Sequence, residues 1–477
     1  MLTRLKINGF KNLRDVDLRF GLFTCIAGSN GVGKSNLFDA ICFLSDLASM
    51  PIVQAALRVR GSNGQLADLK SLFTVGKDGK ALPMEFVVEA IVPKEVEDDF
   101  DRAGKPTATY LQYSLTLHLA EDEKTGSVKD PIFIQLEDLR AKRKKEAESE
   151  LGFTNSSVFI KQFIVAPTNR HLPFIETIDE SDNKVIRLFG EGGRRGQPPK
   201  IPARKSPQTV LSGVNAISHP TALALRREMQ SWRLLQLEPS ALREPDEFGS
   251  TSKVTANGKH LAAALHRTGL YADVAASLSE LIPGIDAVEV DNNDIRNLRT
   301  LCVKMNGQRF TASALSDGTL RFLALAIMAA DPDAFGTICM EEPENGIHPL
   351  RIPQIVQLVR QLSDSETVNS DDWEGLERLR QVIINTHSPL VVAELDADEL
   401  LMATAYHVGK SQWVRFKPVF QTWRGHNLNT TDCVSPGQVL AYLDGGQSHR
   451  GEKSIKQWAD QSTRAASNQQ IPFDLFP

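Results

Sequence analysis

The chain has 477 residues, 41% of them hydrophobic and 24% charged, with a formal net charge of −5. That is enough chain for two or three domains with a sizeable core, and the charge excludes a strongly basic nucleic-acid coat while leaving room for a local basic groove. Five scattered cysteines without a CxxC pair read as reduced core thiols, Arg4, Lys6 and Lys11 interrupt any early signal-like segment, and no apolar run is long enough for a membrane span, so the expectation is a soluble cytoplasmic protein.

In chain order, "LTRLKING" and "VDLRF" predict strands, "LFTCIAG" a buried strand, and "KSNLFDAICFLSDLA" an amphipathic helix. "PMEFVVEAIV", "YLQYSLTLHL" and "PIFIQLEDL" predict further strands, and 141–150 a charged helix or loop. The run 190–208 is rich in Gly, Pro, Arg and Lys and reads as an exposed loop or disordered segment. Segments 220–244 and 258–282 read as helical. From 299 onward a strand–helix rhythm returns, and the last residues form a polar tail. No internal repeat or heptad run is visible.

Four short motifs carry chemistry. Gly28, Ser29, Asn30, Gly31, Val32, Gly33, Lys34 and Ser35 match GxxxxGK[ST], with a strand before and a helix after, and together with Asn36 they are the candidate nucleotide-binding residues. A lysine at a helix N-terminus is unfavourable beside the positive end of the helix dipole unless an anion sits there too. Glycines let successive N–H groups turn toward one phosphate, Lys34 neutralises the β/γ-phosphates, and Ser35 offers a hydroxyl to Mg²⁺. "TICMEEPE" is an apolar strand ending in paired acids, expected beside the P-loop strand. Glu341 suits the metal through water, and Glu342 suits accepting a proton from an attacking water. Glu341 stands where Asp is usual and is one methylene longer. "VIINTHSP" sets His387 at another strand tip, near the phosphates. In "ALSDGTLRFLALA" a small-residue turn, Ser316, Asp317 and Gly318, opens an apolar helix. A second anion site there makes sense if it closes over a nucleotide held by another protomer.

The order P-loop, "LSDGT", "EEPENGIHP", "NTHSP" resembles the ABC-type ATPases of the SMC/RecF/OLD group, most strongly over 1–45 and 312–395. "WRLLQLEPSALREP" followed by "NGKHLAAALHR" is similar to the small bacterial AAA-family ATPases of antiphage-defence operons. The resemblance implies an α/β ABC-type P-loop ATPase head with an inserted compact α+β lid and no long coiled coil. It implies that Ser316 and Gly318 act in trans, that Asn345 to His348 form the D-loop, and that His387 is the switch histidine. Gln65 and Gln112 are the candidates for the Q-loop glutamine. The expected layout is an N-terminal half-head at 1–135, a lid with a basic loop at 136–298, a C-terminal half-head at 299–445 and a tail at 446–477. The basic stretches 139–148 and 191–205 read as solvated surface, or as contacts to a phosphate backbone.

The expected activity is ATP hydrolysis with Mg²⁺ by a homodimer, or a higher homo-oligomer, that sandwiches two nucleotides. The favoured role is the switch subunit of an antiphage system acting with a separate nuclease, TOPRIM-like or toxin effector. A RecF-like repair ATPase with DNA as partner is the alternative. A transporter subunit is disfavoured by the insertion and by "LSDGT".

Overall fold

The structure is a computed structural model that describes residues 1–444 except 61–65, 77, 121–130, 155, 168–172, 181–182, 192–197, 366, 368–372, 374–375, 410 and 427. Gln65, residues 192–197 of the basic loop and the expected tail therefore lie outside the described residues; the end of that loop forms the strand Lys200–Pro202.

Two large sheets organise the chain. The first has eight strands in the order Lys200–Pro202, Asn183–Leu188, Ile175–Glu180, Ile132–Ala141, Tyr110–Leu119, Met84–Ile91, Leu2–Asn8 and Val16–Arg19. It is antiparallel throughout. Its strands alternate, so that Leu5 and Ile7 stand opposite Val88 and Phe86 and bury one face. That face packs on the helix Lys34–Leu47 through Phe10, Phe38 and Phe43.

The second sheet has six strands in the order Arg233–Leu235, Gly336–Glu341, Arg380–Thr386, Phe23–Ala27, Leu400–Val408 and Ser411–Pro418. The first five run parallel and the last is antiparallel. All of Phe23–Ala27 is buried, as is Gln381–Thr386. Continuous apolar runs of this kind suit parallel strands covered on both faces. The helices Asp317–Ala330 and Ile352–Gln361 share the core with this sheet.

Two expectations are corrected here. Gly336–Glu341 does not pair with the P-loop strand: Arg380–Thr386 is inserted between them. Val382, Ile383 and Ile384 are fully buried, and Gln381, a polar residue of this inner strand buried with them, is satisfied by Leu2, Gly21 and Thr337. Residues 233–235, inside a stretch read as helical, form a strand. The helix Pro220–Gln230 ends at Ser231, and Arg233–Leu235 then pairs with Ile338–Met340.

The stretch 136–298 is compact and woven through the head. It supplies strands to both large sheets and to a third, smaller one in which Leu298–Met305 pairs with Asp246–Glu247, Ile285–Asn293 and Gln308–Thr311. The boundary expected at 135/136 falls inside the strand Ile132–Ala141, because that strand pairs along its whole length with Tyr110–Leu119. Among the described residues the longest helices, Lys34–Leu47 and Asp317–Ala330, have 14 residues each, so no long coiled coil is present there. No described helix is long and apolar enough to cross a membrane.

Candidate functional site

The parallel register brings the ends of four strands to one edge. Glu341 faces Asn385, Thr386 faces Ala27, and Leu235 faces Met340, which sets Gln236 next to Glu341 in sequence register. Ligands bind in α/β sheets at this carboxyl edge. A cleft of about 720 Å³ opens there, lined by Lys34, Ser35, Gln236, Arg321, Glu342 and Asn385 among others.

The P-loop follows the buried strand directly. Gly28 lies against the neighbouring strand, where a Cβ would sit 2.5 Å from the carbonyl oxygen of Ala403. Gly33 caps the helix with φ +111°, and a Cβ there would sit 2.4 Å from Asn12 Nδ2. Asn12 braces the loop by donating to the Val32 carbonyl (3.1 Å), and Asn36 Nδ2 donates in turn to Asn12 Oδ1 (2.8 Å). Lys34 Nζ donates to the carbonyls of Gly28 (2.6 Å) and Ser29 (2.9 Å). Burial pushes the Lys34 ammonium down, and the charges of Glu342, Glu344 and Glu341 pull it partly back. Ser29, Asn30 and Gly31 stay exposed at the mouth of the loop.

Both paired glutamates lie at this edge. Burial pushes the Glu341 carboxyl up, but hydrogen bonds from Arg60 and Ser35 outweigh it, and its pKa falls below the ordinary carboxylate value. The hydroxyl-bearing residue of the P-loop and the acid of the strand end both line the cleft. Glu342 adopts φ +45°, a left-handed conformation uncommon for a non-glycine residue and characteristic of functional sites. Its N–H donates to the Asn385 carbonyl (3.0 Å), and this turns its side chain toward His387, whose Nδ1 lies 2.8 Å from Glu342 Oε1. The His387 carbonyl accepts from the Tyr442 hydroxyl (2.8 Å), which fixes the backbone of the histidine. Asn345 lines the cleft, and its carbonyl accepts from Arg321, while His348 Nδ1 accepts from the Leu350 N–H (3.2 Å).

Ser316, Asp317 and Gly318 stand apart from the cleft of their own chain. Ser316 Oγ caps the helix by accepting from the Thr319 N–H (3.2 Å), and Asp317 pairs with Arg243 at 2.5 Å. A Cβ on Gly318 would meet only Ile347 Cδ1, at 3.7 Å. Gln112 lies on a strand of the eight-stranded sheet, opposite Glu89 and Arg140, because that strand is taken up by antiparallel pairing. It does not line the cleft; Gln236 does. The signal for Gln236 was local: two apolar residues, Leu234 and Leu235, followed by a polar side chain, as at the ends of the neighbouring parallel strands. Arg60 and Arg321 carried no such signal.

A family model described as "AAA domain" matches residues 4–183, and another described as "AAA domain, putative AbiEii toxin, Type IV TA system" matches 199–393. The DNA replication and repair protein RecF of Bacteroides fragilis is 48% identical over 46 residues, and that of Bacteroides thetaiotaomicron 46% over 46 residues. The chain is similar to SMC/RecF-like ABC-type ATPases, with AAA-domain models matching in succession over 4–183 and 199–393. The match to either RecF takes in 9% of this chain and 12% of the relative. Among solved structures, an SMC head bound to the C-winged helix domain of ScpA covers 87% of this head and 98% of that chain, at 14% identity and a TM-score of 0.43. The SMC head domain from Thermotoga maritima covers 88% and 99%, at 12% identity and a TM-score of 0.35.

Proposed function

We propose that this head binds ATP with Mg²⁺ in the cleft and hydrolyses it, and that two copies act together. The residues suit the group: the loop turns at Gly28 and Gly33 without side chains, the Lys34 ammonium reaches across the loop, and Ser35 and Glu341, a carboxylate below its ordinary pKa, line the same cleft. Bound there, Mg²⁺ would neutralise charge developing on the phosphate oxygens. Ser35 and Glu341 are the residues to hold it. Lys34 holds phosphate charge, and Glu342 takes the proton of the attacking water.

The observation that carries this reading is the contact of 2.8 Å between His387 and Glu342, a glutamate that lines the same cleft as Lys34. His387 orients the carboxylate so that one oxygen remains to receive the proton. Glu342→Gln keeps the size and removes the base, so ATP binding persists while turnover falls about 10²- to 10⁴-fold. Steady-state hydrolysis near wild type would refute the assignment.

The open face at Gly318 supports action on a partner's nucleotide: the turn is exposed, caps a helix, and lies outside its own cleft. The family description over 199–393, with its AbiEii toxin and type IV toxin–antitoxin wording, supports a defence role, in which we take the chain as a switch acting with a separate nuclease or toxin effector. The RecF identity over 46 residues supports the second reading, a repair ATPase with DNA as partner. Purification of the tagged chain from its native operon separates them: a co-purifying nuclease or toxin chain favours the first, and DNA alone the second.

A further inference from the structure

Arg60 forms a fork on the acid that the site reserves for the metal. Its NH1 donates to Glu341 Oε2 at 2.8 Å and its NH2 to Glu341 Oε1 at 3.1 Å. The same guanidinium reaches Asp39 Oδ1 through Nε (3.1 Å) and NH2 (2.9 Å). Lys11 Nζ closes the cluster on Asp39 Oδ2 (2.7 Å) and on the Arg60 carbonyl (2.8 Å). Two cations thus balance two carboxylates.

We propose that Arg60 is the resident counter-ion of Glu341, a positioning residue that sets how much Mg²⁺ the site requires. This rests on the reading of the cleft as a metal–nucleotide site. A bidentate guanidinium takes one lone pair of each carboxylate oxygen. Half of the acceptor sites of the carboxylate are then withdrawn from the water shell of a divalent ion. The guanidinium also repels that ion, since both cations crowd one carboxylate. Removing Arg60 leaves Asp39 with Lys11, so no buried acid is stranded, and it releases the full charge of Glu341 toward Ser35. Because the Arg60 side chain is 46% exposed, water screens the pairing and the effect is modest.

The test uses the full chain, a fluorescent ATP analogue, and Mg²⁺ titrated from EDTA. In EDTA, Arg60→Gln binds the analogue no more tightly than wild type, because a freed Glu341 charge does not favour phosphate, and each Mg²⁺ midpoint is read against that protein's own metal-free affinity. The Mg²⁺ concentration at half-maximal tightening falls about three- to fivefold in Arg60→Gln, the scale of an exposed ion pair. Arg60→Lys keeps the charge without the fork and shifts it partway. An unchanged midpoint in Arg60→Gln overturns the proposal. A raised midpoint overturns it too, because Arg60 would then be helping the metal rather than standing in for it. If wild type binds no analogue under any condition, the metal–nucleotide reading of the cleft fails first, and the two failures are told apart.

Discussion

Lys34→Ala tests the phosphate cradle most directly. The ammonium is 6% exposed and is aimed across the loop at the carbonyls of Gly28 and Ser29. A hydrogen bond made by a charged group contributes about 1.5–3 kcal/mol net, so losing one such contact to phosphate weakens nucleotide binding about 10- to 100-fold. The free protein responds differently. The exposed Ser29 carbonyl turns to water, the buried Gly28 carbonyl loses its partner, and a charge disfavoured by burial is removed. The last two effects oppose each other, so its stability changes by no more than about 2 kcal/mol. Fluorescent-nucleotide titration gives the first quantity and thermal unfolding without nucleotide the second. Affinity within threefold of wild type, at an unchanged melting temperature, would refute the role of Lys34. A large loss of stability would mean that any weakened binding reports a collapsed loop instead.

Gly318→Arg should melt like wild type, since only Ile347 lies near the new side chain, yet it should lose ATPase activity and regain part of it when mixed with Lys34→Ala. Full activity of Gly318→Arg alone would exclude action of this turn on a partner's nucleotide. Glu137 makes a separate prediction about stability. Burial raises its carboxyl pKa to about 7 against an ordinary 4.5, although the N–H groups of Leu211 and Val210 and the Tyr113 hydroxyl lower it. The folded state then holds the proton more tightly than the unfolded one, so the stabilisation is complete below pH 4.5 and is lost as pH rises through 7. The loss amounts to about 3 kcal/mol. Glu137→Gln should flatten urea midpoints across that window, at a cost of about 1–3 kcal/mol in acid, because an amide cannot accept from both backbone N–H groups as well as a carboxyl does. Parallel pH profiles for the two proteins would contradict this.

The sequence by itself determined the parts whose chemistry is contiguous. The P-loop was legible because Gly28 to Ser35 must follow one another for a backbone turn to meet a helix N-terminus. Glu341, Glu342 and His387 were legible because apolar strands ending in acids or histidine mark the edge of a parallel sheet. Periodicity tells a strand what to bury, not which strand lies next to it. Only the tertiary structure decided that Arg380–Thr386 runs between the P-loop strand and Gly336–Glu341, that Leu235 registers with Met340 and brings Gln236 to the cleft, and that Gln112 belongs to another sheet. It alone joined Arg60 to Glu341 across 281 positions of sequence. A contact of that separation leaves no local pattern, because it depends on how two sheets and one helix pack and not on the residues beside either partner.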